Sequence, residues 1–465
     1  MPKVSGLLLA SERRAIAGLA GLYASRMLGL FMVLPVLALY ADELSGSTPL
    51  LIGLALGGYG LTQAVLQIPF GLLSDRVGRK PVIAFGLCLF MLGSLVAAQA
   101  DSIFGIILGR CLQGSGAVAA AIMALLADQT REAVRTVAMA TIGLSIGVAF
   151  GVAMVLGPLV SMHAGLSGVF WLTAGLALIG LVVLWKLVPS APRRVQHRDV
   201  GLDRRQLASV FRRRDLWRLD ASIFLLHLLL MAIFVAVPLR LVDAGVEVSR
   251  HGGVYLSVMA VAFVIMVPLV IVAEKRRRMK LMCLSAVAAI TLSLLGLGLV
   301  GGLNGLLAWL MVFFTAFNLL EATLPSMLSK LAPAGAKGTA MGIYSTGQFL
   351  GAFLGGVLGG WISQEWGLDA VLFSCALLGL GWFFVMTGMS PPRHLSSEIV
   401  VLDKRYQDDS LSVLTDRFSR IAGVEDVMVV PSECLAYLKV DHEYLDQQAL
   451  AELIGLAKGE DACRV

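Results

Sequence analysis

Residues 50–80 read LLIGLALGGYGLTQAVLQIPFGLLSDRVGRK, an uncharged apolar run that ends abruptly on Asp75, Arg76, Arg79 and Lys80. At about 1.5 Å of rise per residue, roughly 20 apolar residues carry a helix across the hydrocarbon core of a bilayer, and a charged cluster marks where it meets water. The pattern recurs along the chain. Apolar segments cover approximately 15–40, 50–73, 81–100, 103–127, 137–161 and 167–188, then 219–240, 253–273, 281–301, 304–329, 338–362 and 368–389. That is six, a break, and six more.

Composition agrees. Of the 465 residues 58% are apolar and only 15% charged, and the mean hydropathy is +0.84, beyond the roughly half-apolar makeup of a water-soluble domain. The net charge of +6 does not point to nucleic acid, because the basic residues sit between apolar runs without the aromatic interleaving that stacks bases. The six cysteines (Cys88, Cys111, Cys283, Cys375, Cys434, Cys463) have no metal-ligand or redox spacing and read as reduced, mostly buried residues. The amino-terminal MPKVSGLLLASERR has a short apolar stretch without a cleavage site after it, so the first long run is expected to be a retained helix.

The break, Pro189 to Arg218, holds Arg193, Arg194, Arg198, Arg204, Arg205, Arg212, Arg213, Arg214 and Arg218, and cannot cross a membrane at about 3 kcal/mol per buried charge. Even-numbered loops carry nearly all the basic residues: Arg76, Arg79 and Lys80; Arg131 and Arg135; the linker; and Lys275, Arg276, Arg277, Arg278 and Lys280. Odd-numbered loops carry Asp42, Glu43, Asp101, Glu365 and Asp369, with only Arg240 and Arg250 as bases. The positive-inside rule therefore predicts cytoplasmic termini and a cytoplasmic linker. The expected organisation is a bundle over 1–188, a basic linker over 189–218, a second bundle over 219–392 and a separate domain over 396–465.

The halves echo one another. RTVAMATI (Arg135 to Ile142) returns as KGTAMGIY (Lys337 to Tyr344), each opening the fifth helix of its half, and the charged turn at Asp75 has a counterpart at Glu274. Parallel six-helix repeats with a polar site at their interface are the organisation of a transporter.

Gly71-Leu-Leu-Ser-Asp75-Arg76-Val-Gly78-Arg79-Lys80 resembles motif A of the major facilitator superfamily and falls where that motif belongs. Arg110-Cys-Leu-Gln113-Gly114-Ser-Gly116-Ala resembles motif B, and Gly157-Pro158 resembles the centre of the antiporter motif C, with Ser161 and Met162 where that motif ends in two glycines. RMLGLFMVLPVL, YGLTQAVLQIPFGLLSDRVGRKP and PAGAKGTAMGIYSTGQFLG are similar to the YajR-type efflux transporters, a resemblance that extends into the tail. It implies an all-α, twelve-helix (6+6) membrane fold with a small cytoplasmic ferredoxin-like α+β domain after the last helix.

In such a family Gly71 and Gly78 allow a close approach and a tight turn. Asp75 is expected beside the amino terminus of helix eleven, around Gly338, Thr339 and Ala340, where free N–H groups favour a carboxylate and would latch the outward-open state. Arg79 is expected to pair with Asp128. The resemblance implies that protonation or membrane potential releases this relay. Arg76 and Lys80 are read as topology signals, while Asp75, Gly78 and Arg79 are read as the switch. In the second half Val270 and Arg277 replace the glycines, which argues against a symmetric latch.

Ionisable residues inside the spans are expensive and face a cavity or one another. They are Arg26, Arg110, His227 and Glu321, on helices that line the cavity in this family, with Asn318 beside Glu321 and with Gln63, Gln67, Gln113 and Gln348 as neutral partners. Glu321 leads as the proton-coupling residue, because a low-dielectric cavity favours the protonated form of a carboxyl. His227 follows, since an imidazole titrates near neutrality. Arg26 and Arg110 are read as fixing helices through backbone or glutamine, or as holding a carboxylate. A static pair of Glu321 with Arg26 or Arg110, and a packing role for His227, stay open.

In the linker, HRDVGLDRRQLASVFRRRDLW (197–217) reads either as a basic surface helix with Leu207, Val210, Phe211 and Leu216 toward lipid, or as a solvated tether. From Ser396 onward acidic residues outnumber basic ones about two to one, which draws the tail toward the basic face. The tail predicts strand (Glu398 to Asp403), helix (Ser410 to Ile421), strand (Val424 to Val430), strand (Cys434 to Val440) and helix (Asp446 to Leu456). Lacking a Cys-x-x-Cys loop, it is expected to hold no metal.

The leading functional expectation is a proton-coupled exporter (antiporter) of small amphipathic molecules in a bacterial inner membrane. It would work as a monomer among lipids, driven by the proton gradient with no cofactor. A nutrient symporter and a membrane-bound ligand sensor acting through the tail are the alternatives. No nucleophile–base pair, zinc motif or phosphate loop points to an enzyme.

Overall fold

The structure, a computed structural model, describes residues 8–189, 213–276, 278–332, 337–390, 395–401, 411–430, 435–441 and 444–450. Most of the proposed linker helix, Arg277, Cys434, Cys463 and the end of the last tail helix lie outside the described residues. The helices are α1 (Ala10–Met32), α2 (Pro49–Val77), α3 (Arg79–Ala98), α4 (Ile103–Ser115), α5 (Ala119–Gln129), α6 (Glu132–Lys186), α7 (Arg214–Asp243), α8 (His251–Lys275), α9 (Met279–Leu299), α10 (Leu303–Leu331), α11 (Lys337–Thr387) and α12 (Leu411–Ser419).

Ten helical stretches among the described residues are long and apolar enough to cross a membrane, and two of them are too long to cross once. α6 has 55 residues and α11 has 51, so either would reach roughly 80 Å if straight against a hydrocarbon core of about 30 Å. Each breaks at a glycine in the left-handed region, Gly165 (φ 63°) and Gly367 (φ 84°), a conformation that side chains resist. Two arms apiece bring the crossings to twelve. The most exposed apolar side chains, Val264 (73%), Leu377 (71%) and Leu144 (70%), lie mid-crossing, where the surrounding solvent is lipid and not water.

The fourth crossing departs from the continuous helix read from sequence. It is split at Gly116–Val118 between α4 and α5, because Arg26 Nη2 donates to the Gly116 carbonyl at 2.9 Å and draws it out of the helical ladder. The first crossing also starts earlier than expected, at Ala10, and gives way after Met32 to a 3₁₀ segment, Leu37–Glu43.

The residues form two compact units. The first comprises Met1–Gln196, Asp220–Thr323 and Gly342–Gly388 and holds most of every crossing. Within it, α7 runs along α11 through a ladder of small residues: Gly347, Gly351, Gly355 and Gly359 oppose Asp220, Phe224, Leu228 and Ala232, mostly backbone to backbone. On the neighbouring face of α11, Gly356 and Gly360 meet Gly53 and Pro49 of α2, while Gly57 and Gly60 lie against the backbones of Phe353 and Phe349. The four-residue spacing of glycines allows main chains to touch. This α2–α11 seam lies in the half of the membrane away from the amino terminus, where Gly252 of α8 also packs on Val155 of α6. The two six-helix halves are therefore sealed together at that opposite face.

The second unit comprises His197–Leu219, Leu324–Met341 and Met389–Val465. Its sheet has the order β1 (Leu395–Val401), β3 (Leu435–Asp441), β2 (Val424–Val430), all antiparallel, as in a ferredoxin-like module. The expected strands and helix appear with shifts of a few residues. Val400, Leu414, Phe418, Val429, Leu438 and Val440 form its core. Asp446 Oδ1 accepts from the backbone of Gln448 and Ala449 at 3.1 and 3.0 Å, capping the second tail helix. On the other sheet face Lys439, 2% exposed, donates to the carbonyls of Ser329 (3.1 Å) and Lys330 (2.6 Å) at the end of α10, and Asp426 pairs with Arg213 at 3.1 Å.

Candidate functional site

The charged turn forms because α2 must stop at Gly78, whose φ of 116° and ψ of 149° suit glycine alone. Arg79 then opens α3 with its guanidinium turned back on α2. It pairs with Asp75, reaches Asp128 Oδ2 of α5 at 3.3 Å and donates to Ser74 Oγ at 2.7 Å. One side chain thus ties three helices. Lys80 donates to the Val188 carbonyl at 2.6 Å and lies over the Trp185 ring, which anchors the end of α6; Arg76 is exposed. Gly71 differs from its reading as a close-approach glycine, since a methyl there would meet Ala120 at an ordinary 3.6 Å. Gly338 is exposed and Thr339 buried at the start of α11, and both belong to the second unit.

The first half holds two fully buried guanidinium groups. Arg26 donates to Gln63 Oε1 (2.7 Å) and Gly116 O (2.9 Å) between the Tyr59 and Phe90 rings. Arg110 donates to Ala55 O, Leu56 O and Gln113 Oε1 at 3.2, 3.3 and 3.0 Å and lies over Tyr59. Gln113 continues to Ser94 at 2.9 Å, and Gln63 to Gln67 at 3.2 Å. Both arginines therefore bind backbone, glutamine and aromatic faces of their own half.

The second half holds the carboxylate. Gln348 Nε2 of α11 bridges Glu321 Oε1 (3.3 Å) and His227 Nε2 (2.8 Å). His227 Nδ1 lies 3.3 Å from the Ile223 carbonyl, so the neutral tautomer with the proton on Nδ1 satisfies both ring nitrogens. Glu321 Oε2 stands 3.8 Å from His227 Nε2, too far for a hydrogen bond, and is buried without a hydrogen-bond partner. Asn318 turns to its own helix, donating to Phe314 O at 2.7 Å. On the sealed side, Phe150 of the first half, edge-on to Phe31 at 5.0 Å, meets Phe314 and Phe317 of the second at 6.4 and 5.9 Å, and Phe317 also touches the His227 ring.

Sequence reasoning missed three parts of this arrangement. Glu12, 2% exposed, takes two bonds from the Arg131 guanidinium at 2.9 and 3.0 Å, joining α1 to the start of α6; an acid near a helix start gave no distinct signal. The glycine seam was legible as Gly53, Gly57 and Gly60 against Gly356 and Gly360. Asp220 sits at the edge of the 219–240 apolar run, where a carboxylate gives no distinct signal.

Two six-helix halves, ionisable groups held mid-membrane and a charged turn at one face define a membrane transporter. The family profile described as Major Facilitator Superfamily matches residues 19–355 and 275–401. The inner membrane transport protein YajR of Escherichia coli (strain K12) is 45% identical over 445 residues, 95% of this chain and 97% of that protein. The multidrug resistance protein MdtH of Salmonella typhimurium is 23% identical over 77% of this chain and 91% of its own length. A bacterial homolog of the human lysosomal transporter Spinster, solved in an inward-facing and occupied conformation, superposes with a TM-score of 0.69 at 12% identity over 83% of this chain and 98% of that one. The chain belongs to the Major Facilitator Superfamily, and it is an inner-membrane, multi-pass transporter and not an enzyme.

Proposed function

We propose that this chain exports small amphipathic molecules in exchange for protons, with Glu321 as the exchanging carboxylate and with Asp75, Arg79 and Asp128 as the conformational switch. The observation that carries the reading is the Glu321–Gln348–His227 cluster. One carboxylate oxygen is held by an amide and the other is buried and unbonded on a side chain that is 36% exposed as a whole, and an unbonded charged oxygen inside a membrane span is costly. Protonation relieves that cost, and a helix arrangement sensitive to it can alternate. The sealed α2–α11 seam belongs to one of the two states. The basic even-numbered loops favour a cytoplasmic amino-terminal face, and the multidrug resistance name of the MdtH relatives favours export. The chain works as a monomer and draws on the proton gradient with no cofactor.

Purified protein in liposomes with an imposed pH gradient tests this, with ethidium among a panel of amphipathic dyes. Gradient-driven dye movement that is lost in Glu321→Gln and weakened in Asp75→Asn is the expected result. Movement that ignores the gradient, with Glu321→Gln at full rate, overturns it.

A further inference from the structure

Asp220 and Tyr344 play no part in the cluster described above, yet they stand beside it. Asp220 lies about 9 Å along α7 from its start at Arg214, and His227 follows two turns later on the same face at about 20 Å. On α11, Tyr344 lies about 10 Å from the first residue and Gln348 one turn further at about 17 Å, while Glu321 is about 15 Å from the end of α10. The α7–α11 ladder sets the Asp220 backbone against Gly347, between Tyr344 and Gln348. The polar groups therefore rise in steps from the amino-terminal face: Asp220 and Tyr344, then Glu321 and Gln348, then His227.

Three atoms of this column are buried with no hydrogen-bond partner: Asp220 Oδ1, Tyr344 Oη and Glu321 Oε2. The Tyr344 side chain, 3% exposed, lies within electrostatic reach of Glu321, Asp220 and the Cys283 thiol. Cys283, on α9, pairs with Thr323 at 3.7 Å, and His227 is the other titratable group facing Glu321. Orphaned buried polar atoms are costly and rare in a native fold. Three of the ten such atoms among the described residues fall in this one column, two carboxylate oxygens and between them a hydroxyl able to donate and accept; none bonds another in this arrangement, so a proton crosses only when helix movement brings the hydroxyl into reach of each carboxylate in turn.

We propose that Asp220 is a second proton-binding carboxylate and that the Tyr344 hydroxyl passes protons between it and Glu321. A proton from the amino-terminal face binds Asp220. When movement of α7, α10 and α11 brings the Tyr344 hydroxyl into hydrogen-bonding distance, Asp220 gives the proton up, Tyr344 accepts it at oxygen and releases its own proton to the Glu321 carboxylate. Asp220 and Tyr344 return to their starting forms, and Glu321 is left neutral. The proposal rests on Glu321 being the exchanging carboxylate.

Infrared titration of the full chain in phosphatidylethanolamine–phosphatidylglycerol vesicles, with protons and deuterons as the probe, separates the two ideas. Against the titration of the chain's 31 acidic side chains, difference spectra should show one carboxyl band lost in Asp220→Asn and a different one lost in Glu321→Gln. After a pH jump, Tyr344→Phe should keep both but slow protonation of Glu321 by about ten-fold or more, and Asp220→Asn should slow it likewise while Asp220→Glu restores it. Unchanged thermal midpoints show that the variants fold. Wild-type rates in Tyr344→Phe and Asp220→Asn, with Glu321 still titrating, overturn the relay alone; a Glu321→Gln variant that loses no titrating group overturns the exchange reading beneath it.

Discussion

In the first half of the bundle, Arg110 bonds carbonyls and a glutamine through all three guanidinium nitrogens, while Arg26 bonds through Nη2 and rests its other two nitrogens, without hydrogen-bond partners, between the Tyr59 and Phe90 rings. In the second half, Asp220 and Glu321 each keep a buried oxygen unbonded, and their neighbours are neutral or titratable. A guanidinium stays charged throughout the accessible pH range, so a site built on it must compensate the charge permanently, by hydrogen bonds or by aromatic faces. A carboxylate can be neutral or charged at modest cost, so leaving it under-bonded makes its state conditional. The difference teaches that one half supplies a fixed frame and the other a variable.

Five variants break or sharpen that contrast. Arg110→Met should lower stability by about 3 kcal/mol, because Gln113 and two carbonyls lose a charged donor; the unfolding midpoint in detergent measures it, and an unmoved midpoint would erase the distinction between the halves. Glu321→Gln should do the reverse, with the midpoint nearly unchanged and gradient-driven dye flux down about 100-fold. Gly78→Ala should cost about 2 kcal/mol from the backbone alone, whereas Gly71→Ala should stay within about 0.5 kcal/mol. The paired midpoints show whether the charged turn depends on its kink or on its packing. Lys439→Met should loosen the tail by about 1.5 kcal/mol through two lost charged hydrogen bonds, read as faster proteolysis of residues beyond 390, with flux unaffected.

Most of the architecture was legible because lipid imposes a coarse rule: apolar runs span and charges do not. The paired crossings inside α6 and α11 follow from length and one glycine each. Arg79 with Asp128 was legible because a motif carried it. What escaped depends on meeting in space. Gln348 is 121 residues from His227 and 27 from Glu321, and no periodicity predicts that an amide joins them. The split at Gly116 arises from a side chain 90 residues away. Asp220 escaped because a carboxylate near the end of a hydropathy segment looks like part of the water boundary.

The seam between α2 and α11 consists largely of glycine against main chain, and that has a mechanical consequence. No knobs have to climb out of holes when the helices part, and every amide along the contact already has its bond within its own helix. Separation uncovers bare backbone without breaking a lock, so friction is low and motion is quick. A single added methyl, in turn, would act as a wedge that props the gate ajar.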